Sequence, residues 1–128
     1  MNIEQIKTYE EELKDLGVKQ HDTAKSYLKA RRRYAKANTY VLKELAKDLI
    51  RYRSEKRNLG VEMALLIKLA EAQKNQDQEF IKMYEQRELS LAEYKGLDRA
   101  LEALQSKQTG IQSCVKWLQI GEINETTH

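Results

Sequence analysis

The chain contains no proline, one cysteine, one tryptophan, one phenylalanine and two histidines among its 128 residues. Each scarcity excludes something. Without proline, no ring removes an amide donor and forces a helix to kink or stop. A single cysteine, Cys114, cannot form an internal disulfide, so the chain is not a disulfide-stapled secreted scaffold. One thiol, with histidines as far apart as His21 and His128, supplies no set of neighbouring zinc ligands. There are only five glycines, and they form neither a phosphate-cradling loop nor a G-x-S-x-G nucleophile turn. No metal, no cofactor and no catalytic residue is therefore expected, and the chain reads as a non-enzyme. Long apolar runs are missing too. Met63-Ala64-Leu65-Leu66-Ile67 is among the longest, far short of the roughly 20 residues that span a bilayer. The start, Met1-Asn2-Ile3-Glu4-Gln5, is polar and acidic and is not expected to act as a cleaved signal. These features predict a cytoplasmic protein without a membrane partner.

Lys, Glu, Leu, Ala and Gln dominate what is present, and 34% of residues are charged. That mixture is typical of long helices and coiled coils. The apolar fraction of 41%, with seven tyrosines, is too high for a disordered chain. The length fits one helical domain over 1–128, with no internal repeat and no Gly/Ser-rich linker. A monomer of this kind has a thin core, so a homo-oligomer is expected.

Apolar spacing places three helices. In the first, about 2–57, Ile3, Ile6, Tyr9, Leu13, Leu16, Tyr27, Tyr34, Val41, Leu45, Leu49 and Tyr52 keep to one face. Gly17 and the polar run Lys19–Thr23 interrupt that stripe. A helical glycine costs about 1 kcal/mol relative to alanine, which weakens the helix there without requiring a break. Asn58 and Gly60 supply stop or turn residues. The second helix, about 61–87, is expected to bury Met63, Leu66, Ile67, Ala70, Phe80, Ile81 and Tyr84. Between Glu71 and Glu79 only Ala72 is apolar, so that stretch is either exposed all round or weakly helical. The third helix, about 91–120, follows Ser90-Leu91-Ala92-Glu93, which has the form of a capping box. Its seam is heptad-like: Tyr94, Leu97, Leu101, Leu104, Gln108, Ile111, Val115 and Leu118. Gln108 either fixes the register as a buried amide or lies at a wet edge. Residues 121–128 are expected to form a tail. The predicted fold is all-α: an antiparallel long-helix hairpin, or three-helix coiled-coil bundle.

Charge is unevenly spread. Residues 1–24 carry three basic and six acidic groups, a net −3. Residues 25–57 carry twelve basic groups against Glu44, Asp48 and Glu55, a net +9, and residues 58–128 a net −3. Within the basic segment, Lys25, Lys29, Arg32, Lys36, Tyr40, Lys43, Lys47 and Arg51 recur every three or four residues, with Arg31 and Arg33 beside them. They form a stripe about 39 Å long at 1.5 Å per residue, separate from the apolar one. Such a line of cations can follow a phosphate backbone, DNA or RNA, with Tyr40 as a stacking face. It can equally dock on an acidic protein, or be a solvated face partly neutralised by Glu44, Asp48 and acids on the other helices. Tyr27, Tyr34 and Tyr52 are expected in the core. Cys114, at the margin of the seam, reads as a small packing residue.

The segment 90–118, opening Ser90-Leu91-Ala92-Glu93-Tyr94-Lys95-Gly96-Leu97-Asp98-Arg99-Ala100-Leu101, follows a basic first helix. In this arrangement residues 25–118 resemble small helical coiled-coil proteins encoded by tailed bacteriophages, often among recombination and replication genes. The resemblance implies a phage accessory protein acting near DNA metabolism in the host cytoplasm, and it carries over no catalytic residue. The expected function is thus a self-associating helical accessory protein that engages nucleic acid, or a nucleic-acid-processing protein, through the basic stripe. The alternative is a protein-interaction module, an assembly chaperone or an inhibitor of a host protein, whose basic face meets an acidic partner.

Overall fold

The computed structural model describes the backbone of residues 2–127 and the side chains of residues 3–121. It is all-α, with α1 spanning Asn2–Ser54, α2 Val61–Lys74 and α3 Gln78–Thr127, and with no strand among the described residues. Long helices pack together as in a helical hairpin. Two compact units are formed: Met1–Leu28 with Lys95–His128, and Lys29–Tyr94.

In the first unit the early turns of α1 pack on the later part of α3. Leu16 and Ile111 are the buried residues there. Leu97, Leu101, Leu104, Gln108, Val115 and Leu118 are all partly buried, so the heptad face is the inward face of α3. Gln108 meets an amide partner. Gln20 Nε2 donates to Gln108 Oε1 at 2.8 Å in a partly buried setting. The bond gives the Gln108 carbonyl oxygen a partner at a position where an apolar residue opposite would supply none. α1 runs unbroken through Gly17, which is exposed and has open space where a Cβ would stand. On the outer side of α3, Trp117 is 74% exposed.

The second unit holds the main core: Val41, Leu45 and Tyr52 of α1, Ala64 and Ala72 of α2, and Phe80 of α3. Tyr40, Leu49, Leu65, Ile67, Leu69, Ile81 and Tyr84 pack around them. Tyr94 belongs to this unit, its ring edge-on to Tyr34 at 5.3 Å between centroids. Of the tyrosines expected inside, Tyr52 is buried, whereas Tyr27 and Tyr34 are partly buried. Asp48 lies on the buried face of α1 between Leu45 and Tyr52, and Lys68 Nζ of α2 stands 3.6 Å from its Oδ2. A carboxylate this withdrawn from water needs a countercharge.

The helix limits differ from the expected ones for local reasons. α1 stops at Ser54, before the expected 57, because Lys56 turns left-handed with φ 57°. Arg57 N–H then donates to Tyr52 C=O at 2.8 Å and Lys56 N–H to Arg53 C=O at 3.0 Å, a Schellman closure. Gly60 does not stop α1; it is the extended N-cap of α2. α2 ends at Lys74, not 87, by the same device. Gln76 has φ 55°, and Asp77 N–H donates to Ala72 C=O at 2.8 Å. The apolar-poor stretch 71–79 is therefore the site of this turn. α3 begins at Gln78, well before the expected 91. Asp77 Oδ1 accepts from the Phe80 amide at 3.3 Å, three residues on, as an N-cap does. Ser90 is interior to α3, and its hydroxyl donates back to Gln86 C=O at 2.6 Å. The expected tail at 121–128 is also corrected: α3 continues past Gly121 to Thr127, since one glycine is too small a penalty to end a helix.

The buried face of α2 is corrected too. Ala64 and Ala72 face the core with Lys68 between them, while Met63 and Leu66 stay 51% and 61% exposed and Ala70 is exposed. Alanine lets the helices approach closely around Tyr52 and Phe80, and the larger side chains on the opposite side are left outside.

Two non-glycine residues in the left-handed region carry a conformational cost of about 1 kcal/mol each. Replacing either by glycine, Lys56→Gly or Gln76→Gly, is expected to raise stability by up to about 1 kcal/mol. Urea denaturation followed by circular dichroism measures this, and a lower midpoint for both variants would refute it.

Candidate nucleic-acid interface

The basic stripe arises because residues three, four and seven apart on a helix share a face. Val41, Leu45 and Tyr52 turn one side of α1 inward. Lys29, Arg32, Lys36 and Lys43 project from another side, and all four are exposed. Lys29, Lys36 and Lys43 are each separated by seven residues, about 10.5 Å along the helix axis. No ion pair among the described residues involves any of these four. They lie in the second unit, as do Arg33, Tyr40, Lys47 and Arg51; Lys25, also exposed, falls in the first.

Arg33, Lys47 and Arg51 are engaged. Arg33 Nη2 donates to Glu93 Oε1 of α3 at 2.9 Å. Lys47 Nζ donates to Glu44 Oε1 at 2.9 Å, within the same helix turn. The Arg51 guanidinium lies 5.1 Å from the Tyr52 ring centroid, and Arg57 covers the same ring at 4.9 Å. Arg31 stacks over Tyr94 at 4.8 Å. Solvent-exposed ion pairs such as Arg33–Glu93 contribute little, about 0–1 kcal/mol, so an anionic ligand displaces them at small cost. Asp48, expected to neutralise part of the stripe, is buried beside Lys68 on the inward face and also interacts electrostatically with Arg51.

Tyr40 is packed more than it is displayed. It is partly buried against the core, its ring 6.5 Å from that of Phe80 and tilted by 41°. Burial, then the carboxylates of Glu79, Glu44 and Asp77, raises its phenol above the ordinary tyrosine range. Around Tyr40 the cationic edge is therefore bordered by acidic groups.

Beside Arg33 and Lys36 there is a groove of about 540 Å³. α3 supplies its other wall through Gln86, Leu89, Ser90 and Glu93. Leu89 is 70% exposed. Gln86, Leu89 and Glu93 were not singled out as site residues from the sequence; Ser90 and Glu93 stood there only as a capping box. The available signal was that 86, 89 and 93 share one helix face. No group of His, Cys, Asp and Glu among the described residues is arranged to hold a metal ion. Cys114, expected to pack at the margin of the seam, is exposed. No described helix is long and apolar enough to cross a membrane. Comparison with protein-family models, with curated proteins and with solved structures finds no match.

A raised phenol in the folded state has a definite linkage sign. Tyr40 contributes stability in full below about pH 10, where a tyrosine of the unfolded chain begins to ionise. That contribution is lost as pH rises through the folded value. Subtracting the alkaline absorbance titration of Tyr40→Phe from that of the wild type should isolate one phenol titrating later than free tyrosine. An ordinary or lower midpoint would contradict the assignment.

Proposed function

We propose that this protein is a non-enzymatic helical accessory protein, of the kind tailed bacteriophages encode near recombination and replication genes, that self-associates and engages nucleic acid through the cationic edge of α1. One observation carries the reading: Lys29, Arg32, Lys36 and Lys43 are exposed, regularly spaced and outside every ion pair among the described residues. A row of cations outside ion pairs on one helix face suits a polyanion with regularly repeating charge, and counterion release drives its binding. The self-association part rests on different residues. Leu42 and Ile50 of α1 and Met63 and Leu66 of α2 leave large side chains in water, which a second protein surface would cover.

Fluorescence anisotropy with labelled oligonucleotides over a salt series tests the nucleic-acid part. Neutralising four phosphates gives a slope of log K against log salt of about −3 to −4. Charge reversal of Lys29, Arg32, Lys36 and Lys43 to Glu should abolish binding at low salt. Wild-type protein that binds no oligonucleotide at low salt would overturn the reading and leave an acidic protein as the partner. Analytical ultracentrifugation tests self-association. Wild-type protein is expected to sediment above monomer mass at micromolar concentration, and Met63→Ser with Leu66→Ser closer to it. A wild-type monomer would remove this part of the proposal.

A further inference from the structure

We infer that the groove between α1 and α3 beside Arg33 and Lys36 receives an unstacked base of single-stranded nucleic acid, and that Glu93 favours an amino-bearing base there. The inference rests on the nucleic-acid reading of the cationic edge and names the form of ligand that this edge takes. The groove, about 540 Å³, falls within the roughly 300–1,000 Å³ of small-molecule sites. Its two walls differ in chemistry. Lys29, Arg32, Lys36 and Lys43 stand along the exposed edge of α1 and suit phosphates. The groove is lined by Arg33 and Lys36 on the α1 side and by Gln86, Ser90, Glu93 and the exposed Leu89 on the α3 side.

Arg33 and Glu93 neutralise each other across the groove, and none of its α3 lining residues is cationic, so a backbone held by the exposed cations of α1 keeps its phosphates on that side and turns its bases toward the α3 wall. Leu89 then offers an apolar surface to the face of a base. Glu93 Oε1 accepts from Arg33 Nη2 at 2.9 Å. An ionised carboxylate has acceptor capacity for further donors, and the exposed Glu93 side chain can use it. Cytosine and adenine present an exocyclic amino group to such an acceptor, whereas thymine and uracil present carbonyl oxygens there, which it repels. Duplex DNA keeps its bases stacked and cannot place one in a side groove without paying to unstack it. Single strands splay their bases freely.

The test uses the full-length protein with oligo(dC), oligo(dT) and a mixed-sequence duplex at neutral pH, read by anisotropy. Oligo(dC) is expected to bind about tenfold tighter than oligo(dT), the low end of what base-edge contacts supply. The duplex should bind more weakly than oligo(dC). Glu93→Gln should bring the two single strands to within about twofold of each other. A purely electrostatic effect of removing that charge would move both affinities together and leave their ratio intact. Leu89→Ser, at an exposed position, should weaken both single strands and spare the duplex. If all three ligands bind with salt dependence and need Lys29, Arg32, Lys36 and Lys43, but no base preference is seen or Glu93→Gln leaves it unchanged, the groove assignment falls and the cationic edge stands. If no ligand binds, both fall.

Discussion

Val41, Leu45 and Tyr52 recur at helical spacing on α1, and each is almost wholly withdrawn from water. A lone helix cannot shelter such a face, so α2 and α3 must both come to it. α2 does so with alanines, which bring its backbone close, and α3 does so with Phe80 in its first turn. Asp48 on the same face adds an electrostatic condition, because its burial is tolerable only with Lys68 beside it. The two left-handed residues, Lys56 and Gln76, are the backbone cost of the two turns that join α1 to α2 and α2 to α3 within this core.

The orientation of α1 follows from that burial, and the cationic edge follows from the orientation. Once Val41, Leu45 and Tyr52 point inward, Lys29, Lys36 and Lys43 are forced outward. Because α3 starts at Gln78, residues 86–93 lie within that helix, and Gln86, Leu89, Ser90 and Glu93 form one wall of the groove with Arg33 and Lys36 of α1 opposite.

The helical class was legible because proline is absent and the apolar residues of α1 and α3 keep a steady period. The seam from Leu97 to Leu118 could be read because each of its members recurs at heptad spacing, and the exposure of the cationic stripe could be read because it avoids the apolar one. The break at 75–77 was harder to see. Its left-handed residue is a glutamine, not the glycine that normally marks such a turn, and its cap, Asp77, lies in a run of polar residues. Ser90-x-x-Glu93 has the form of a cap, but tertiary contacts decide what these residues do. Ser90 bonds within its own helix, and Glu93 bonds to another. The inward side of α2 was illegible for a related reason. A helix apolar nearly all round has no periodicity to reveal which side faces the core, and the choice falls to the small residues that pack most closely.

The position of Trp117 has a spectroscopic consequence. It is the only tryptophan, and its indole is already largely in water in the folded chain. Its emission should therefore resemble that of a solvated indole before and after denaturation, and be nearly silent on folding. A surface that settles over that turn of α3 would desolvate the ring and shift its light to the blue. The residue is thus a built-in optical probe of contact in a protein whose folding it scarcely reports.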